Sequence, residues 1–285
     1  MIEHLAWVTT GPARGGDKDE PLVVPALEAW GVRVDVVDWD DPAVDWSRFD
    51  RVVLRSTWDY PERLAEFVPW LERVDAVSDL VNPLPFIRWS HDKRYLAELA
   101  SAGVPITPTR FVEPGSEVAL PGGDFVVKPA VGAGSREVAS YGPDQHATAL
   151  EHLTRLHEAG QVALLQPHLR SVAVEGEWPM VFLEGAFSHA ANKRIDLPRA
   201  GRIDGLFAEE TNTPHDPSRE QLAVAEAAMR VVTDRLGAPT YGRVDLVRDD
   251  AGGFRVLEVE LVEPSLFLAC AGTAALDRFV TGLLR

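Results

Sequence analysis

Apolar positions along this chain recur with two periods, and the switches between them mark out its elements. HLAWVTT (4–10) reads as a first strand followed by a Gly-rich turn. PLVVPALEAWG (21–31) has helical spacing and stops at a glycine. VRVDVVDWD (32–40) alternates as a strand does, and RVVLRST (51–57) gives a third strand. Helical spacing returns over 60–74, with Pro61 suited to a first turn. Strands alternating with helices predict a small parallel α/β domain here, with ligands at the carboxyl ends of its strands. The polar loop RSTWDY (55–60) sits at one such end, where Arg55 and Asp59 either pair with each other or face a substrate.

VNPLPFIRWSHDK (81–93) reads as a proline-rich connection and a domain boundary. After it come a helix over 91–103, the strand DFVVKPA (124–130), and a small-residue turn within 131–142 that leads into another strand-like run. A helix over 147–160 and a strand over 161–169 follow. Residues 177–195 read as two antiparallel strands joined at EGA, and 217–237 as a long helix with Leu/Ala/Val spacing. Two strands around the turn DDAGG and a short amphipathic helix close the chain.

Composition narrows the function classes. A formal net charge of −16 over 285 residues argues against a nucleic-acid surface, which needs basic patches to displace counterions. It leaves room for a local basic pocket. The single cysteine, Cys270, forbids an internal disulfide and any multi-cysteine metal site. No run approaches the roughly 18 apolar residues of a membrane span, and the N-terminus lacks a signal-peptide pattern, so a cytoplasmic protein is expected. His91, His168 and His189 make no zinc-ligand spacing, and no serine sits in a G-x-S-x-G elbow.

The chemistry concentrates in LEVELVEPSLFL (257–268). In a strand, Glu258 and Glu260 share one face while Leu257, Val259 and Leu261 share the other. Like charges about 7 Å apart along one strand face repel unless a cation compensates them. Asp245, on the partner strand GRVDLV, would complete an oxygen-rich cage suited to Mg²⁺. Glu263 falls on the opposite parity unless the chain bends at VEP. Upstream, Lys128 lies inside an apolar strand and Lys93 on a separate element. VGAGS (131–135) is a small-residue turn whose backbone N–H groups can approach phosphate oxygens. LLQPHL (164–169) and the acid in VEGEW (174–178) could serve an adenine edge and ribose hydroxyls.

This order, a lysine, Lys-Pro with a small-residue turn, a hinge-like strand, an acid, then Asp and Glu-x-Glu, resembles the ATP-grasp superfamily over roughly residues 82–268. It is most similar to the prokaryotic glutathione synthetase-like branch. RSTWDY, SHAANKR and EVELVEPSLFL are similar to the cycloserine synthetase-like members of that branch. The resemblance implies an α/β ATP-grasp fold with an α+β lid, preceded by a small parallel α/β pre-ATP-grasp domain. Its expected parts are an N-terminal substrate domain (1–85), a central lid subdomain (86–170) and a C-terminal subdomain with the metal site (171–285).

It further implies ATP and Mg²⁺ as cofactors. Lys93 and Lys128 would contact phosphates under a covering loop with Gly132, Gly134 and Ser135. Gln166, Pro167, His168 and Leu169 would line the adenine hinge, and Glu177 would bind ribose. Asp245, Glu258 and Glu260 would hold Mg²⁺, and Lys193 and Arg194 would face the transferred phosphoryl group. Arg55, Ser56, Thr57, Asp59, Tyr60 and Glu263 are the expected substrate residues. Family members commonly carry Asn where this chain has Glu260, and their covering loop is often richer in glycine. The implied activity is ADP-forming carboxylate–amine ligation of a small amino-acid-type substrate, with ring closure within one molecule as the form that the narrower cycloserine synthetase-like likeness implies. An intermolecular amino-acid or dipeptide ligase and a non-catalytic nucleotide-binding regulator are the alternatives. No nucleic-acid or membrane partner is expected, and assembly into a homo-oligomer stays open.

Overall fold

A computed structural model of the chain describes residues 2–195 and 210–285. Three sheets organise it. The first follows from the βα alternation at the N-terminus: β1 (His4–Thr9), α1 (Glu20–Ala29), β2 (Arg33–Asp38), β3 (Arg51–Ser56), α2 (Leu64–Asp75) and β4 (Asp79–Val81). Its strands run parallel in the order β2-β1-β3-β4, with Leu5 opposite Val34 on one side and Arg51 on the other. The α2 stripe Phe67, Trp70, Leu71 and Val74 is buried against this sheet, as its 3.6-residue spacing requires.

The stretch 81–93 is not a plain connection. It contains helix α3 (Leu84–Ser90), entered at Pro83 with Pro85 in its first turn. Proline tolerates that position because its missing N–H would be unpaired there anyway. Helix α4 (Tyr95–Ser101) follows. The second sheet is antiparallel, in the order β5-β8-β6-β7, from β5 (Arg110–Val112), β6 (Phe125–Pro129), β7 (Ala139–Tyr141) and β8 (Ala163–Pro167), with α5 (His146–Glu158) packed on it.

After α6 (Arg170–Glu175) the third sheet runs β11-β10-β9-β12-β13, from β9 (Trp178–Leu183), β10 (Ala186–Ile195), β11 (Glu210–His215), β12 (Tyr241–Arg248) and β13 (Phe254–Glu260). Helix α7 (Arg219–Leu236) covers β12 and β13. Its N-cap is a capping box in which Ser218 and Gln221 satisfy each other's backbone N–H groups. The last helix, α8 (Thr273–Leu284), does not belong to this sheet alone. Phe279 and Leu283 join Leu5, Trp7 and Leu27 in one core cluster with Leu183 and Tyr241. The parallel sheet therefore shares its core with the C-terminal end of the chain.

Two buried polar residues stitch these parts. Asn82 donates to the carbonyls of Tyr241 and Leu261 at 2.8 Å and accepts from Thr240 N–H at 2.9 Å. The Tyr241 hydroxyl donates toward the carbonyls of Leu54 and Val262 at 3.1 and 3.0 Å. No helix among the described residues is long and apolar enough to cross a membrane.

Candidate active site

A cavity of about 660 Å³ opens where the three sheets meet. Strand β6 brings Lys128 to its wall, and the turn after it contributes Gly132, Gly134 and Ser135. Gly134 and Ser135 have φ of +62° and +60°, so the turn holds a left-handed conformation that costs glycine nothing and strains a serine. Lys93 lies 2.9 Å from a Glu258 carboxylate oxygen and donates to the Gly132 carbonyl at 2.9 Å. Lys128 is equally buried, but no carboxylate among the described residues pairs with it. Burial, with Lys93 and Lys193 nearby, lowers its pKa to about 8 against the pull of Glu258 and Glu177. A buried ammonium without an anion calls for one from a ligand.

Gln166, Pro167, His168 and Leu169 line another stretch of wall. Gln166 is pinned by its amide N–H to Thr109 Oγ1 at 2.8 Å, and the His168 N–H by the Asp124 carbonyl at 3.0 Å. Glu177 is bound to Lys193 three times: reciprocal backbone hydrogen bonds of 2.8 Å and an ion pair of 2.6 Å. That close approach depends on Gly176 (φ +81°), where a Cβ would stand 2.4 Å from the Lys193 carbonyl. Lys193 points into the cavity. Arg194, its neighbour in the strand, points the other way, is exposed and touches Asn192, so it does not reach the wall. Alternation along β10 corrects the expectation that both serve the site.

The acidic strand also departs from simple alternation. Asp245 pairs with Glu258 but Leu246 with Val256, leaving Leu257 as the extra residue of a β-bulge. Val256, Val259 and Leu261 enter the core, while Leu257, Glu258 and Glu260 all face the cavity. Leu257 thus lies on the opposite side from the one alternation assigns it. The chain bends beyond Glu260, and Glu263 lines the cavity as well.

Arg243 fills the gap between these acids. It grips Asp245 bidentately (2.7 and 2.9 Å), reaches Glu260 at 2.6 Å and donates to the Ser265 carbonyl at 3.0 Å. Burial alone would raise the Asp245 pKa, but Arg243 and Lys193 hold it below the ordinary value; Lys93 and Lys128 do the same for Glu258. Burial, helped by Glu258 and Asp245, pushes Glu260 up to about 7 despite Arg243. Asp245 is covered and does not line the cavity. Among the described residues no three acidic, histidine or cysteine side chains gather as a metal shell. Glu258 and Glu260, two cavity-facing carboxylates, still fit a Mg²⁺ ion that takes its remaining oxygens from phosphates and water. Asp245 would first have to leave Arg243. The spacing R-x-D in GRVDLV, which puts Arg243 and Asp245 on one strand face, was the available sign of this arginine.

The N-terminal loop contributes differently from expectation. Arg55 is fully buried, 3.3 Å from Asp17 and 3.0 Å from Asp19, and does not reach the cavity. Ser56 donates to Thr9 Oγ1 at 2.7 Å, Thr57 is buried, and Asp59 accepts from Thr10, Trp39 and Arg63. Arg55, Ser56 and Asp59 hold the loop rather than a ligand, and none of the four lines the cavity, because a parallel strand between two neighbours buries its end on both faces. Tyr60 does line the cavity, as do Gly16, Lys18 and Trp58. Asp19 accepts the N–H groups of Leu266 and Leu268 at 2.7 and 2.9 Å, tying this loop to the segment after the acidic strand.

Comparison with known proteins identifies relatives of the whole chain. A family model described as the N-terminal domain of D-cycloserine synthetase DcsG matches residues 5–82. The cycloserine biosynthesis protein DcsG of Streptomyces lavendulae is 40% identical over 292 residues, covering 98% of this chain and 97% of the relative. A crystal structure of D-cycloserine synthetase DcsG superposes with a TM-score of 0.89 at 40% identity, covering 98% of both chains. A D-alanine–D-alanine ligase from Bacillus anthracis shares the fold at a TM-score of 0.69 and 15% identity, over 99% of this chain and 98% of its own. The chain belongs to the D-cycloserine synthetase DcsG family and has the ATP-grasp fold.

Proposed function

We propose that the cavity binds Mg²⁺-ATP beside an amino-acid-type substrate and forms an amide-type bond through an acyl phosphate, closing a ring within one molecule. The observation that carries this reading is the buried Lys128, which has no ion-pair partner among the described residues, in the same cavity as the cavity-facing Glu258 and Glu260. One feature asks for an anion, and the other for a cation that the anion can share.

In this reading the 132–135 turn and Lys128 take the phosphates, Gln166 to Leu169 flank the base, and Glu177 faces the ribose. Mg²⁺ on Glu258 and Glu260 would supply charge neutralisation at the phosphates. A substrate carboxylate oxygen attacks the γ-phosphorus as the bond to the bridging oxygen breaks, releasing ADP. The substrate's amine-type nitrogen then attacks the acyl carbon, the C–O bond to phosphate breaks, and the nitrogen's proton leaves with the departing phosphate. Arg243, Lys128 and Lys193 offset the negative charge that accumulates on the phosphoryl oxygens and at the carbonyl. The small-residue turn and the aromatic Trp58 and Tyr60 exclude water that would hydrolyse the acyl phosphate. No protein nucleophile takes part.

The test is release of ADP and phosphate from Mg²⁺-ATP with single amino acids, dipeptides and O-ureido-D-serine. Stimulation by one compound alone, with a product lighter than that compound rather than a dimer of it, is expected and establishes ring closure. Stimulation only by pairs means an intermolecular ligase. ATP binding without ADP release under any condition overturns the ligase reading.

A further inference from the structure

Glu263 is a buried carboxylate in the cavity that the nucleotide reading leaves without work. It is more than nine-tenths buried, lines the cavity, and has no ion-pair partner among the described residues. The cations near it are already engaged. Lys93 holds Glu258 and the Gly132 carbonyl, while Arg243 holds Asp245, Glu260 and the Ser265 carbonyl. Its other charged neighbour, Glu260, repels it, and Tyr60 lines the same cavity. An ionised carboxylate buried in this way is stable only with a cation brought from outside.

The segment that presents Glu263 is built to hold still. The Val262 carbonyl accepts from the Tyr241 hydroxyl at 3.0 Å, and the Ser265 carbonyl from Arg243. The Leu266 N–H is taken by Asp19 and the Leu266 carbonyl by His189 at 2.7 Å. An acid fixed on such a frame is preorganised to receive a ligand rather than free to swing toward solvent.

We infer that Glu263 receives the α-ammonium group of the amino-acid substrate and so selects amino acids over plain carboxylic acids. This rests on the ligase reading for the cavity's use and adds the group recognised. An ammonium fits better than a second metal ion, because no three acidic, histidine or cysteine side chains gather as a metal shell among the described residues, whereas a metal needs several oxygens.

Binding of O-ureido-D-serine and of its counterpart lacking the α-amine, 3-(ureidooxy)propanoic acid, is measured by calorimetry with and without Mg²⁺-ADP, in wild type, Glu263→Gln and Glu263→Asp. Mg²⁺-ATP binding is measured alongside. The expected result is an affinity for O-ureido-D-serine that falls about 10- to 100-fold in E263Q, the loss of one charge-assisted contact. E263D should recover part of it, the amine-free compound should bind all three proteins equally weakly, and Mg²⁺-ATP should bind all three alike. Equal affinity of wild type and E263Q for O-ureido-D-serine, or no binding to wild type, overturns the inference. Loss of Mg²⁺-ATP affinity in E263Q also overturns it, by placing Glu263 at the metal. If the amino-acid pattern holds but wild type releases no ADP, the ammonium site stands and the ligase reading fails.

Discussion

Replacing Arg55 by leucine separates a framework role from a substrate role. The guanidinium is fully buried against Asp17 and Asp19, with the rings of Trp7, Tyr241 and Phe279 centred 5.3, 5.7 and 5.8 Å from its central carbon. Leucine fills part of that volume but leaves two carboxylates among aromatic rings without a cation. Removing one partner of a buried ion pair costs about 3–5 kcal/mol. With an unfolding entropy of about 2 cal/mol/K per residue, a chain of this length loses roughly 5–8 °C of Tm.

The pH dependence gives a second reading of the same substitution. Burial holds the Asp19 pKa above its ordinary value even with Arg55 pulling it down. Without the arginine it rises further. A carboxyl whose folded pKa exceeds its unfolded one stabilises the fold below the unfolded pKa and loses that contribution as pH rises through the folded pKa. The deficit of Arg55→Leu is therefore largest near pH 8 and shrinks toward pH 5. Urea unfolding followed by tryptophan fluorescence at both pH values measures it. A deficit below about 1 kcal/mol, or one equal at the two pH values, refutes the buried-clamp argument. Unchanged stability with weakened amino-acid binding would return Arg55 to the substrate pocket.

Four further outcomes follow from the same geometry. Glu258→Gln should abolish ADP release while the chain still folds, with a lowered thermal transition because Lys93 loses its ion-pair partner, and near wild-type turnover would remove Glu258 from the metal site. Because the Lys128 pKa is near 8 in the free protein and a phosphate must raise it, nucleotide binding takes up a proton around pH 8 to 9 and weakens above that range. Calorimetry in two buffers of different ionisation enthalpy detects the uptake. Gly176→Ala drives a Cβ to 2.4 Å from the Lys193 carbonyl, and a loss of about 1–3 kcal/mol in urea unfolding together with reduced turnover is expected. Asn82→Ala strands the carbonyls of Tyr241 and Leu261 and the N–H of Thr240, for a cost of about 3 kcal/mol or more in the same assay.

The long periodic elements were legible from the pattern alone: α2, α5 and α7 and the hairpin of β9 and β10 fall where spacing and glycine stops put them. The clustering of Lys93, Lys128, Gln166, Glu177, Glu258 and Glu260 came from the resemblance to the ATP-grasp superfamily rather than from the periodic pattern, and all six line one cavity. Strict alternation failed at Leu257, since a bulge inserts one residue and resets parity, and nothing in LEVEL distinguishes a bulged strand from a regular one. Helix α3 was hidden because two prolines read as a connection where they instead open a helix.

Arg55 marks the deeper limit. A polar strand end at the carboxyl edge of a parallel sheet is where ligands bind, and by that rule Arg55, Ser56, Thr57 and Asp59 were reasonable substrate residues. What overrides the rule is packing between segments far apart in sequence. Asp19 meets Leu266 and Leu268 across 247 and 249 positions, and Asn82 meets Leu261 across 179. Those contacts cover the end of β3 and move the ligand-facing surface outward to Gly16, Lys18, Trp58 and Tyr60. They also fix the segment that carries Glu263 and, through the Asn82 bond to the Leu261 carbonyl, the end of the strand that carries Glu260. The N-terminal loop thus shapes the cavity without four of its polar side chains touching a ligand. Substitutions at Asp19 or Asn82 should consequently disturb substrate and metal binding together, whereas those at Glu263 or Glu258 should separate them.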